Sequence, residues 1–259
     1  MTLSKARSGL LHRLHQRKQR QREGCFVVEG MRSAREALAA GMSVRFAVMS
    51  PRLAELDEDG ALTELLSHVR VDVITLDDKA LAELSGTVSP QGILLVCEEP
   101  RAKLADIMVA RSGILVADAI QDPTNLGSMI RTAGALGLAG LIALDGTVDP
   151  WNTKVVRGSA GAGFRLPIVQ TRCSDFVDWA GTSGLRLLAA DAAGVDAATV
   201  DKAVPWALAI GNEGAGLRPE LLEVAVETIG VPIHAHAESL NAGVAAAILC
   251  YELTRGVAR

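Results

Sequence analysis

The chain has 259 residues, 49% of them hydrophobic but only 3% aromatic, and a formal net charge of −4. That length holds one large or two modest domains, with cores packed from Ala, Val, Leu and Ile. The longest apolar run, residues 133–144, is too short to span a bilayer, and the four scattered cysteines (Cys25, Cys97, Cys173, Cys250) lack Cys-x-x-Cys spacing, so a membrane span, a disulfide framework and a zinc site are excluded.

No apolar leader follows the basic N-terminus, and a cytoplasmic protein is expected. Residues 1–35 carry nine Lys or Arg and two Glu, a net +7, so the remaining 224 residues sum to −11. Between Lys5 and Arg22 lie Arg7, Arg13, Arg17, Lys18 and Arg20, with His12 and His15 and no acidic residue. Each cation that meets a phosphate releases condensed counterions, giving salt-sensitive, sequence-independent affinity for nucleic acid. No aromatic residue is present to stack a base, so this arm, residues 1–22, positions RNA and does not read it. Arg13, Arg17, Lys18, Arg20 and Arg22 are its candidate contacts; a merely solvated charged helix is the plainer alternative.

Residues 24–30 read as a short strand, 32–40 as a helix, 44–50 as a strand, 54–68 as a helix and 71–76 as a third strand. A short helix at 80–84 and a strand at 92–97 complete a small α/β sandwich over residues 23–99, and the polar segment 100–111 is a linker.

The second half, 112–259, begins with a strand at 113–117. A loop then leads into a helix at 124–133 whose first turn holds Asn125. Arg131 follows six residues on, a little under two turns, so the two flank a cleft at the helix start and do not share a stripe. After a strand at 140–144 and a polar turn, Lys154, Arg157 and Ser159 fall at helical spacing, and Gly161 and Gly163 end that helix. A strand at 166–170, a helix at 174–181 and strands at 185–190 and 206–210 follow. The last of these opens into Gly211-Asn212-Glu213-Gly214-Ala215-Gly216-Leu217. Its three glycines let the backbone turn sharply beside a flat ligand, at the end of the strand where open α/β sheets place ligands.

A helix at 219–226 and a strand at 227–233 precede a turn from His234 to Asn241 and an apolar helix at 242–253. His234-x-His236 has only Glu238 nearby as a further ligand, too little for a metal site. Ser239 lacks a Gly-x-Ser-x-Gly elbow and reads as the N-cap of the last helix, with Glu238 or Asn241 assisting. Neither a Gly-x-Gly-x-x-Gly after an early strand nor a Walker loop is present, which argues against a nucleotide-dependent dehydrogenase.

Three blocks stand in this order: Asn125-x-Gly127-x-x-x-Arg131, Gly211-Asn212-Glu213-Gly214-x-Gly216-Leu217 and Val231-Pro232-x5-Glu238-Ser239-Leu240-Asn241. Together they resemble the SpoU (TrmH-type) branch of the SPOUT RNA methyltransferases, over about residues 112–256. Lys154 to Gly161 are similar to the subgroup that methylates ribosomal RNA and confers antibiotic resistance. Glu29-Gly30 and Pro90-Gln91-Gly92-Ile93 are similar to that subgroup's N-terminal RNA-binding domain. The resemblance implies a C-terminal α/β trefoil-knot (SPOUT) domain preceded by a small L30e-like α/β sandwich, and a homodimer through the last helix. It also implies S-adenosylmethionine held largely by the backbone at Gly211, Val231, Ile233 and Leu240. The chain departs from the family at Ile233 (often Met), at Ala235 (often Gly) and at Ala242-Gly243 (commonly Val-Ser).

The activity so implied is methyl transfer to a ribose 2′-hydroxyl of RNA. Ribosomal RNA is the expected substrate and transfer RNA the alternative. A non-catalytic ribosome-associated RNA-binding protein is a further alternative, but it leaves Asn125, Arg131 and Glu213 unexplained. In-line displacement requires oxygen, carbon and sulfur to be aligned, and the hydroxyl, a poor nucleophile at neutral pH, needs activation. The family's first-block arginine, here Arg131, is held to act on that hydroxyl. A guanidinium with a pKa above ~12 is a poor proton acceptor, which favours a clamp on the neighbouring phosphate that stabilises charge on O2′. By the same resemblance Asn125 orients Arg131 or the ribose, and Glu213 fixes that constellation or bonds the target nucleotide. Ser239 and Asn241 shape the pocket, and Arg157 contacts RNA phosphate.

Overall fold

A computed structural model describes residues 3–69, 71–108, 112–202, 205–234 and 236–255; Ala235 lies outside the described residues. Contacts divide the chain into two compact units, Met1–Pro100 with Trp151–Phe164, and Arg101–Pro150 with Arg165–Arg259.

In the first unit α1 (Lys5–Leu14) and α2 (Arg17–Glu23) precede β1 (Cys25–Glu29), α3 (Met31–Ala39), β2 (Val44–Met49), α4 (Pro51–Leu56), α5 (Ala61–His68), β3 (Asp72–Thr75), α6 (Asp78–Leu84) and β4 (Ile93–Glu98). The strand order is β1-β4-β2-β3, with β4 antiparallel to both neighbours and β2 parallel to β3. The basic terminus packs onto this sheet. Leu11 and Leu14, one helical turn apart, are buried in the same core as Val27, Phe46 and Leu94; Lys5 and Arg13 of α1 face outward, while Arg7 lies over the Phe46 ring and pairs with Asp72. Arg20 is corrected as an RNA contact: it is 3% exposed, and its Nη1 donates to the Leu14 carbonyl at 2.7 Å. The helix expected at 54–68 is two helices. Gly60, at φ +65°, turns the chain, and buried Asp57 accepts from the N–H groups of Leu62 and Thr63 at 3.2 and 3.0 Å to start α5.

The second unit comprises β5 (Ile114–Ala117), α7 (Pro123–Leu136) and β6 (Gly140–Leu144). The chain then makes α8 (Thr153–Gly158), which packs on β1 in the first unit, before β7 (Ile168–Thr171), α9 (Cys173–Ser183) and β8 (Arg186–Asp196). β9 (Trp206–Ile210), α10 (Pro219–Val224), β10 (Glu227–Gly230) and α11 (Ala242–Thr254) complete it. All six strands are parallel, in the order β10-β8-β9-β5-β6-β7. Such a sheet is buried on both faces, and β5, β6 and β9 are buried throughout. Phe176 of α9 and Leu221 of α10 pack with Ile114, Val116 and Ile142 on one face, and α7 and α11 pack on each other. β8 outruns its expected end because its last residues pair with β10 after a register shift. Gly194 permits this: a Cβ there would lie 2.4 Å from the Ile229 backbone.

From β5 the chain crosses to β6 on one side, and from β9 towards β10 on the other. The carboxyl ends of β5 and β9 therefore form a topological switch point, where ligands of open α/β sheets bind. Among the described residues no helix is long and apolar enough to cross a membrane.

Candidate active site

Three turns meet at that switch point: 118–122 after β5, 211–218 after β9, and 231–241 leading into α11. Asp122 caps α7 by accepting from the Thr124 N–H at 2.7 Å, and this places Asn125 in the first turn, 4% exposed. The Asn125 Nδ2 donates to Glu213 Oε1 at 2.7 Å, and the Asn241 Nδ2 donates to Asn125 Oδ1 at 2.8 Å. Asn241 is fixed in turn because its Oδ1 accepts from the N–H groups of Gly243 and Val244 at 3.0 and 3.2 Å, capping α11. A carboxylate only accepts, so both amide orientations follow from the network. Asn241, not Ser239, is thus the N-cap; Ser239 is exposed.

Glu213 also accepts from the N–H groups of Gln121 and Asp122, each at 3.4 Å. Burial by itself would raise the Glu213 pKa, but the Asn125 amide and these backbone donors outweigh it and hold the carboxyl below its ordinary value. Glu213 is therefore an anion at neutral pH.

The glycine turn is closed by its own backbone. Asn212 and Gly216 exchange N–H to carbonyl bonds at 3.0 Å, and Asn212 Oδ1 accepts from Gly214 and Ala215 at 3.0 Å. Asn212 Nδ2 donates to the Ala119 carbonyl at 2.8 Å. At the far end Arg218 meets Asp118, whose side chain is 1% exposed, at 2.6 Å, and also Asp145 at 3.2 Å. Burial disfavours the Arg218 cation, yet these two carboxylates raise its pKa above the usual arginine value.

The sequence-derived residues separate into groups. Gly211, Val231, Ile233 and Leu240 all line one cavity of about 540 Å³, together with Glu213, Ser239 and Asn241. Asn125 stands behind that wall. Arg131 is exposed on α7, and among the described residues it has no hydrogen-bond or ion-pair partner. Asn125 does not bond Arg131, because its amide is already engaged by Glu213 and Asn241. In the first unit Arg157 is exposed on α8, and Arg17 and Lys18 on α2. Arg13 and Arg22 each approach Glu23, at 3.7 and 2.8 Å. His234 and His236 lie with ring centroids 5.0 Å apart, and among the described residues no three metal-ligating side chains cluster.

Sequence reasoning missed Asp118, Asp145, Arg218 and the cavity-lining Asp191, and gave Asn212, quoted in the second block, no role of its own. One signal was available. Asp118 directly follows a wholly apolar strand, where an acidic residue needs a partner, and Arg218 sits just before a helix-starting proline.

An all-parallel sheet with a cavity walled by turns at its switch point defines an α/β enzyme that binds a small organic cofactor. Residues 112–251 match the model described as SpoU rRNA Methylase family, and residues 10–95 match the MRM3-like substrate binding domain. The chain is 36% identical over 242 residues to the Bacillus subtilis 23S rRNA (guanosine(2553)-2′-O)-methyltransferase RlmP, covering 93% of each. It is 35% identical over 253 residues to the 23S rRNA (uridine(2479)-2′-O)-methyltransferase of Streptomyces viridochromogenes, covering 93% of this chain and 86% of that one. The AdoMet-bound rRNA methyltransferase of Sinorhizobium meliloti superposes with a TM-score of 0.87 at 29% identity, over 100% of this chain and 98% of that one. The chain belongs to the SpoU rRNA methylase family.

The cavity fits S-adenosylmethionine. Its volume of about 540 Å³ lies within the ~300–1,000 Å³ of small-molecule pockets. Ile210, Leu240 and Leu249 offer an apolar surface to a flat ring, and the acidic residues Asp191 and Glu213 also line the cavity. Among the described residues no Lys, Arg or His lines it, which suits a ligand bearing a sulfonium and an ammonium group.

Proposed function

We propose that this chain methylates a ribose 2′-hydroxyl of ribosomal RNA at the cleft bordered by Glu213 and Asn241. It is an S-adenosylmethionine-dependent RNA 2′-O-methyltransferase. The observation that carries the assignment of roles is the Asn241–Asn125–Glu213 relay, which joins positions 116 residues apart at the rim of the cavity.

The bound cofactor supplies an electrophilic methyl group on a sulfonium sulfur. The chain's task is to hold the ribose oxygen in line with it and to stabilise the charge that develops there. Asn125 and Asn241 lock the ionised Glu213, and so fix the cleft rim against which the nucleotide packs. Gly211, Val231, Ile233 and Leu240 hold the cofactor, and Ser239 closes the wall beside it. A guanidinium is a poor proton acceptor, so Arg131 does not take the hydroxyl proton; it clamps the neighbouring phosphate and steadies negative charge on O2′. Arg157, Arg13, Arg17, Lys18 and Arg22 of the first unit hold RNA phosphates. Two copies associate through α11, and that last helix threads a loop to form the family's trefoil knot.

Mapping 2′-O-methyl sites in total RNA, with and without the protein, tests the activity; unchanged maps would end the reading. Arg131→Ala is expected to slow methyl transfer to unmodified large-subunit rRNA by ~10²-fold or more. Isothermal titration should leave its S-adenosylhomocysteine affinity within about twofold of the parent, since a group acting only in the transition state lowers kcat without cofactor binding. Lost cofactor binding would move Arg131 out of the RNA-facing role.

A further inference from the structure

We propose that the Asp118–Arg218 pair, with Asp145, is a positioning device that sets the place of Glu213 and so tunes the methyl-transfer step. The inference rests on the assignment of Glu213 to the active site.

The geometry makes the turn after β5 a two-point buckle for the turn after β9. Asp118 and Ala119 are consecutive, and each holds one end of the 211–218 turn. Ala119 accepts from Asn212 Nδ2 at 2.8 Å at the near end. Asp118 takes the far end twice: its Oδ2 accepts the Arg218 backbone N–H at 3.0 Å and its Oδ1 accepts Arg218 Nε at 2.7 Å. Arg218 then reaches the residue that follows β6, donating from Nη2 to the Asp145 carbonyl at 2.7 Å and from Nη1 to both Asp145 carboxylate oxygens at 3.2 Å. Asp145 is itself anchored, because its Oδ1 accepts the Cys173 N–H at 2.7 Å.

Glu213 lies between the two buckled ends, and its own partners, Gln121, Asp122 and Asn125, come from the same stretch that carries Asp118 and Ala119. The turn that bears Glu213 and the helix start that bonds it are thereby one rigid body. Ala119 supports this reading: it stands at φ +53°, a left-handed conformation that costs a residue with a Cβ of order 1 kcal/mol. The neighbouring bonds hold it there. An ion pair with one carboxylate at 1% exposure contributes little net stability over an apolar replacement, but it specifies one geometry when every donor is satisfied. Neither Asp118, Asp145 nor Arg218 lines the cofactor cavity, so the pair acts through the turn and not by touching the ligand.

The test is a double-mutant cycle in single-turnover methyl transfer from S-adenosylmethionine to unmodified large-subunit rRNA. Arg218→Met is expected to lower the rate about tenfold in the parent background and less than twofold in Glu213→Gln, and Arg218→Lys recovers part of the loss. Asp145→Asn leaves the buried Asp118–Arg218 contact in place and keeps the fold should Arg218→Met not. It is expected to lower the rate about threefold in the parent and to have no effect in Glu213→Gln. Equal losses in both backgrounds, tracking only the melting temperature, would overturn the positioning role and leave the methyltransferase assignment standing. A parent protein that neither transfers methyl groups nor binds S-adenosylhomocysteine would overturn the active-site assignment and this inference with it.

Discussion

Gly211 has no side chain for a reason internal to its turn. A Cβ at that position would lie 2.3 Å from the Gly216 carbonyl carbon and 2.4 Å from the Leu217 nitrogen, both backbone atoms that cannot swing away. Its flat approach to the cofactor is thus secondary to closure of the turn on itself. Gly211→Ala forces the two arms of the turn apart, an overpacking expected to cost ~1–3 kcal/mol. Because the displaced backbone carries Asn212 and Glu213, S-adenosylhomocysteine affinity should fall at least tenfold by isothermal titration. Parent-like affinity would show that the cavity wall does not depend on the turn's closure. Asn125 teaches a related lesson. Its short polar side chain at a helix start suggests a ligand contact, yet the structure spends both ends of the amide inside the protein.

At the scale of the element, α11 is apolar on nearly every side, and its two faces do different things. Ala242, Ala246, Leu249, Cys250 and Leu253 are buried. Gly243 brings the helix close to α7: a Cβ there would sit 3.3 Å from the Ser128 Cβ and 3.5 Å from the Asn125 Cα. The departure from the family's Val-Ser at Ala242-Gly243 therefore falls where small residues let α7 and α11 approach. On the other face Val244, Ile248 and Tyr251 are 49%, 36% and 51% exposed at i, i+4 and i+7, a single stripe. Exposed apolar stripes of this kind mark interaction surfaces, and the proposed homodimer covers this one. Ile248→Glu would bury an unpaired charge there and should weaken dimerisation by ~100-fold or more. Light scattering at micromolar concentration should report a monomer for the variant and a dimer for the parent; a monomeric parent would remove α11 from the interface.

At the scale of the whole molecule, the first unit is discontinuous. Phe26 on β1 lies 4.7 Å from the Trp151 ring and 6.5 Å from Phe164, and Val155 and Val156 are buried with them. Gly161, at φ +90°, packs so closely that a Cβ would lie 2.6 Å from the Glu36 side chain. A segment lying between β6 and β7 in sequence thus completes the core of the N-terminal unit. Residues 1–100 alone should expose the Phe26 face and unfold without a sharp urea transition, and a linker that restores residues 151–164 should recover it. In the full chain Trp151→Ala is expected to cost the first unit ~3–5 kcal/mol. Cooperative, parent-like unfolding of residues 1–100 would show that the segment is dispensable.

The sequence by itself determined the alternation of strands and helices, the α/β class and the three blocks that mark the family, because these depend on local periodicity, glycine placement and residue order. It also marked the turn after β9 as a ligand loop, and the family resemblance added Gly211, Val231, Ile233 and Leu240, which line the cavity. Only the tertiary structure decided which polar groups serve which. Asn125 bonds Glu213 and Asn241 instead of Arg131, Arg20 turns inward, and Arg218 reaches Asp118 across 100 positions of sequence. Residues 151–164 join the unit otherwise built from residues 1–100. The physical reason is common to all four. Hydrogen bonds and packing are satisfied by whatever the folded chain brings within a few ångströms, and no local pattern records partners supplied by distant turns.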